Sequence, residues 1–346
     1  MPHSNRIAKI LLSIAAICGF SILSTGCTIC IWPPGAMQRQ APGLIGCLEY
    51  PWSPDIRAVE FTSNETLVSA DNGGKVVFWD LKTGGIVSQI DDAGAIAEFA
   101  VPKSGKPVVG ADLNDLCVLD PDNHRVLDAT STHLEPAVTA AISPDGRYVV
   151  CGGEGGDSGP GLAIYDAVTW KKIANPGDYR KSVRSVSISG DGSIFLSAGD
   201  DSDAVRVWAI PSGRLVSAFH LGFDGYEAVA ISPDGKLGAA LSSPAHKLKL
   251  FNVADGTILA TLPTNGRSSR SMQFTPDSRR LVYADETVLR VWDIPSRHQV
   301  AAFMGGQSEI WCLSISPDGR TVATGSGVQS YSGWANDTVV RIYRLP

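Results

Sequence analysis

The chain has 346 residues, 44% hydrophobic and 18% charged, enough to bury a large core and to exclude disorder as its dominant state. Its 29 basic against 35 acidic side chains give a formal charge of −6, the wrong sign for coating a phosphate backbone, so no nucleic acid partner is expected. Thirty-six glycines and 21 prolines in no triplet period exclude collagen and point to tight turns between short strands, an all-β class.

Residues 1–9 carry Arg6 and Lys9 without an acid, and Ile10 to Thr25 is an uncharged apolar run. That is the layout of a secretory signal, shorter than the roughly 20 residues of a spanning helix. The run closes on Leu23-Ser24-Thr25-Gly26-Cys27, which resembles the lipobox of bacterial lipoproteins, with Ser24 where leucine is preferred. The resemblance implies cleavage before Cys27, acylation of its thiol and a firm hold on a membrane. Residues 27–46, with Trp32-Pro33-Pro34-Gly35 and Ala41-Pro42-Gly43, read as a spacer, leaving 47–346 as the folded domain. Cleavage would leave 27 basic and 35 acidic side chains, a formal −8. In an exported chain Cys30 and Cys47 could oxidise together, whereas Cys117, Cys151 and Cys312 sit in apolar strands as core residues.

One phrase then recurs down the domain. It stands as Ile142-Ser143-Pro144-Asp145-Gly146, Ile231-Ser232-Pro233-Asp234-Gly235 and Ile315-Ser316-Pro317-Asp318-Gly319, and more weakly at Ile188 to Gly192 and Phe274 to Ser278. Degenerate copies begin at Phe61 and Val101, and with Pro102 as the proline-equivalent position of the second copy the intervals run from 39 to 46 residues. Proline, aspartate and glycine in this order make a tight turn. Some 16 to 20 residues later comes a strand ending in an aromatic or apolar residue and often Asp: Trp79-Asp80, Leu119-Asp120, Tyr165-Asp166, Trp208-Ala209, Phe251-Asn252, Trp292-Asp293 and Tyr343-Arg344. A further turn and a short apolar strand complete each of seven units.

The pattern resembles the WD40-repeat family of β-propellers over about 300 residues, from roughly Leu44 to Pro346. The resemblance implies an all-β, seven-bladed ring of four-stranded antiparallel blades. The seventh unit stops one strand short after Tyr343, while Leu48-Glu49-Tyr50 precedes the first unit as a spare strand. An N-terminal strand is therefore expected to complete the last blade and remove its open edge. The family's histidine survives only as His133, and Cys151 and Tyr165 stand in its serine and tryptophan positions. Blades 1 and 4 keep Ser69 with Trp79 and Ser197 with Trp208, and Asp71 and Asp201 lie near the family's loop aspartate.

Chemistry is sparse. Gly156-Asp157-Ser158-Gly159-Pro160 looks like the nucleophile segment of chymotrypsin-like proteases, but no matching histidine segment accompanies it. The six histidines have no i, i+4 pair, and Asp200-Asp201-Ser202-Asp203 lacks the glycine and distal glutamate of a calcium loop, so no metal and no cofactor is expected.

What remains is the face opposite the Ser-Pro-Asp-Gly turns, the top in the family. Insertions cluster there at 152–161, 199–204 and 325–337, the last carrying Tyr331 and Trp334. Aligned first strands place Arg57, Val138, Arg184, Glu227, Arg270 and Trp311 at one position of the top rim. Arginine and tryptophan are enriched at binding hot spots, so Arg57, Arg184, Glu227, Arg270, Trp311, Tyr331 and Trp334 are candidate contacts for a protein or peptide partner. The expectation is a non-catalytic interaction module, lipid-anchored on the periplasmic or cell-surface side of a bacterial membrane. Its rivals are a propeller enzyme or small-ligand binder using the central channel, as in quinoproteins or lactonases, and a periplasmic accessory protein of the TolB type.

Overall fold

A computed structural model describes residues 43–49, 55–105, 108–111, 115–120, 125–131, 137–156, 159–177, 182–199, 204–223, 225–242, 247–264, 271–306, 308–327 and 339–346. The described residues form 28 strands, β1–β28 in chain order, and no helix. Strands β2–β5 (56–90), β6–β9 (98–131), β10–β13 (137–174), β14–β17 (183–219), β18–β21 (228–262) and β22–β25 (272–304) make six four-stranded sheets in simple up-and-down order. The seventh sheet joins β26–β28 (309–344) to β1 (Leu44–Glu49), which pairs antiparallel with β28 at the outer edge. The ring is thus closed by the N-terminal strand, which begins at Leu44, three residues ahead of the boundary read from the sequence.

The first strand of each sheet neighbours the first strand of the next, from β2 round to β26 and back to β2, so these seven strands surround the axis. Each joint between blades holds its own apolar core. Val59, Phe61, Trp79, Val340 and Ile342 fill the joint of blades 7 and 1, and Val68, Phe78, Ile96 and Phe99 that of blades 1 and 2. The second strands are covered on both faces and read as nearly continuous buried runs, for example Leu67 to Asp71 and Phe195 to Gly199. Fourth strands face outward and leave Ile86, Val87, Leu215, Val216, Ile258 and Leu259 exposed.

The recurring phrase works as a self-contained bonding unit at the bottom of the ring. Ser143 donates its hydroxyl to Asp145 at 2.6 Å and accepts the N–H of Tyr148 at 2.9 Å, while Gly146 N–H bonds Ser143 O at 2.8 Å. The same 2.6 Å bond recurs as Ser189–Asp191, Ser232–Asp234, Thr275–Asp277 and Ser316–Asp318. Gly146, Gly192, Gly235 and Gly319 close these turns with φ near +72°, a region open to glycine without steric cost. Ser278 occupies that place in blade 6 at φ +59° and recovers a bond across the joint, accepting Asp234 N–H at 3.1 Å. In blade 2 the turn bond runs from Gly105 to Pro102 O, so Pro102 matches Ser143 and Lys103 matches Pro144, one residue beyond the frame read from the sequence.

Candidate functional site

The rim position lies where each first strand leaves its ladder. In blade 1 Ile56 faces Asp71 and Ala58 faces Ala70, so Arg57 is an extra residue with no cross-strand partner. The same bulge isolates Val138, Arg184 and Trp311 in blades 3, 4 and 7. In blades 2 and 5, Ala97 and Glu227 donate to the carbonyls of Ala111 and Leu241, residues that also face Glu98 and Ala228. A bulge bends the strand and re-aims a side chain, which accounts for the described rim positions standing apart from the sheet.

Two of the expected rim residues meet. The Arg57 guanidinium lies 4.1 Å from the centroid of the Trp311 ring, across the joint between blades 7 and 1. The indole in turn rests on Gly327, where an added Cβ would stand 2.5 Å from the ring. Asp55 approaches Arg57 only to 4.0 Å, and Arg57 Nε is buried without a hydrogen-bond partner among the described residues. Arg184 and Glu227 hold the equivalent places in blades 4 and 5, both partly exposed. Arg270, Tyr331, Trp334 and Cys27 lie outside the described residues, as do His133, Asp201 and the 157–158 tip of the blade 3 hairpin, whose strands run on to Gly156 and from Gly159.

Below the rim the inner wall follows a rule that the sequence reading missed. Polar side chains four and two residues before the turn serine reach the next blade and take the free N–H groups of its first strand. Glu98 accepts from Ala140 at 3.1 Å, Ser187 from Ile231 at 3.1 Å, Ser271 from Leu313 at 2.8 Å, Gln273 from Ile315 at 2.8 Å and Ser314 from Phe61 at 3.1 Å. These bonds satisfy strand edges that would otherwise be left open. Two residues at these positions are acids, Glu98 and Glu60. Burial pushes the Glu60 carboxyl up to about 8 against the pull of the Ser314 hydroxyl, with the Glu98 charge adding to the rise. Burial likewise raises Glu98 to about 7, opposed by its bonds to Thr139 and Ala140. Alignment on the turns would have revealed the signal, since Glu60, Ser187, Gln273 and Ser314 share one position.

The Trp-bearing strands show the same use of polar groups for structure. Trp79 Nε1 donates to Ser69 and Trp208 Nε1 to Ser197, both at 2.7 Å and fully buried. Asp71 caps the adjacent hairpin through Gly73 and Lys75 N–H. In blade 3 the two positions hold Cys151 and Tyr165, and burial raises both groups well above their usual ranges. Cys312 is pushed up to about 12 for the same reason, so neither thiol is poised as a nucleophile. Among the described residues no three His, Cys, Asp or Glu side chains come together to hold a metal.

The geometry defines a seven-bladed β-propeller. Two segments of the ring, residues 171–209 and 297–344, match the WD40 family, described as "WD domain, G-beta repeat". The chain is 27% identical over 179 residues, 49% of its length, to the small ribosomal subunit protein RACK1 of Caenorhabditis elegans, covering 51% of that protein. It is 26% identical over 305 residues, 76% of its length, to the nuclear distribution protein PAC1 of Arthroderma benhamiae, covering 64% of it. An uncharacterized WD repeat-containing protein of Synechocystis is 23% identical over 227 residues, 53% of this chain and 64% of the relative. The chain therefore spans between half and two thirds of the length of each of these three relatives.

Proposed function

We propose that this propeller is a non-catalytic interaction scaffold, held at an exported membrane surface through Cys27 and binding a protein or peptide partner on its top face. The observation that carries the reading is the contrast between levels of the ring. Polar groups of the inner wall and bottom turns are engaged within the fold, whereas bulges at the top turn Arg57, Arg184, Glu227 and Trp311 out of their ladders. WD-repeat relatives named for a ribosomal subunit and for nuclear distribution support a role in assemblies. The inner-wall acids Glu60 and Glu98 sit within the network that joins blade to blade, which supports a structural assignment over a channel reaction.

Membrane fractionation tests the anchor: wild type should sediment with membranes and incorporate a labelled fatty acid, and Cys27→Ala should do neither. Equal sedimentation and labelling of both forms would refute lipidation at Cys27. Crosslinking followed by mass spectrometry tests the scaffold, with a reproducible protein crosslinked through top-face residues as the expected result. Crosslinks confined to bottom turns would reject the top-face assignment.

A further inference from the structure

Arginine bound flat on an aromatic ring keeps its charge and presents its N–H edge in a fixed plane. The guanidinium carbon of Arg57 lies over such a ring. The bulge aims Arg57 out of β2, the Trp311 ring lies 4.1 Å beneath its guanidinium, and the ring is seated on Gly327, where any larger residue would collide with it. The Arg57 side chain remains 39% exposed despite this support. Within the fold its charge is only loosely countered, because Asp55 stops at 4.0 Å from Nη2, beyond hydrogen-bond length, and Nε is buried, which leaves the terminal Nη groups as the donors a partner could meet. A planar, pre-positioned guanidinium on a side chain that stays exposed suits a carboxylate, which can accept two parallel N–H bonds.

We propose that Arg57, stacked on Trp311 at the joint of blades 7 and 1, is the anchor for an aspartate or glutamate side chain of the protein partner. The proposal rests on the top-face reading above and adds to it the partner's chemistry and the point of attachment. Three features divide the work. The arginine supplies charge and paired donors, the indole fixes the plane of the guanidinium, and Gly327 allows the indole to lie close to the sheet. Trp311 is thus a positioning residue, and its loss should weaken binding while leaving charge unchanged.

The test uses the full chain and an array of short peptides, each acidic peptide paired with its Asn or Gln counterpart and with a phosphoserine version. Wild type should bind a set of acidic peptides in preference to the amide forms. Arg57→Gln should lose at least about tenfold in affinity for that set, as expected for charge-assisted bonds. Arg57→Lys, which keeps the charge and loses the fork, should recover only part of the affinity, and Trp311→Ala should fall between wild type and Arg57→Gln. Unfolding curves that match wild type show that these variants keep the ring.

Equal binding of acidic and amide peptides, or binding unaffected by Arg57→Gln, would overturn the anchor. Stronger binding of the phosphoserine peptides would overturn the carboxylate assignment. If no acidic peptide binds while protein capture persists and is lost on Arg184→Glu, the anchor fails and the top-face reading stands. Capture insensitive to every rim change removes both.

Discussion

Blades 1 and 6 carry the same Trp-Asp ending, yet the two tryptophans have opposite fates. Trp79 is bonded to Ser69, whereas Trp292 Nε1 is buried without a partner among the described residues, because Tyr283 fills the serine's position and sends its hydroxyl to Pro263 O at 3.0 Å. The blades differ again on the inner wall, where the position two before the turn holds Glu60 in one and Gln273 in the other. They differ a third time in the turn itself, which blade 6 closes from Thr275 N–H to Arg280 O with the Thr275–Asp277 bond and blade 1 closes one residue shorter, from Thr62 N–H to Thr66 O. Signature residues thus stabilise through their bonding partners, and blade 6 keeps the shape of a repeat without the tryptophan bond, on packing together with its turn and inner-wall bonds.

The largest effect should come from the tryptophans. Trp79→Phe breaks a buried bond and leaves Ser69 unpaired, so it should destabilise the ring by about 1–3 kcal/mol more than Trp292→Phe, which removes an N–H that is already unbonded. Denaturant melts of the two variants check this, and equal losses would mean that packing alone sets the value of the tryptophan.

The acid at the inner wall gives a pH signature. Between the ordinary carboxyl range near 4.5 and about 8, an unfolded Glu60 has lost its proton while the folded one still holds it. The native state then binds more protons, so this group's contribution to stability falls as pH rises across that window. The bottom-turn aspartates Asp145, Asp191 and Asp318, held low by their serine and backbone bonds, are ionised in both states there and do not offset the trend. Glu60→Gln, which makes blade 1 resemble blade 6, should flatten the decline between pH 5 and 8 and leave the part due to Glu98. Thermal melts across that range would contradict the account if the slope were unchanged.

A small effect is expected at the turn. Ser278→Gly relieves a positive φ but gives up the bond from Asp234 N–H, and the two terms should cancel to within about 0.5 kcal/mol.

The bottom of the molecule was the most legible part of the sequence, because each Ser-Pro-Asp-Gly turn is made from side chains within five residues of one another. The closing strand was legible for a different reason: a missing partner at one end of the chain matched a spare strand at the other. Blade 2 was misframed by one residue because Pro102 stands where the other copies have Ser or Thr. The rim residues were found by alignment, but their isolation was not, since a bulge is a property of backbone pairing that no residue type announces at Arg57 or Trp311. Glu60 and Glu98 passed unnoticed because an acid in an alternating strand looks like a solvated one until the neighbouring blade is placed against it.

The central claim is that the top face binds a partner and the bottom turns hold the fold. Quantitative affinity capture with the double variant Arg184→Glu and Arg270→Glu, run beside a matched bottom-turn variant Arg147→Glu and Arg320→Glu, tests it directly. The account predicts that the top-face variant loses the partner at unchanged stability while the bottom variant retains it. Loss of the partner from the bottom variant alone would contradict it.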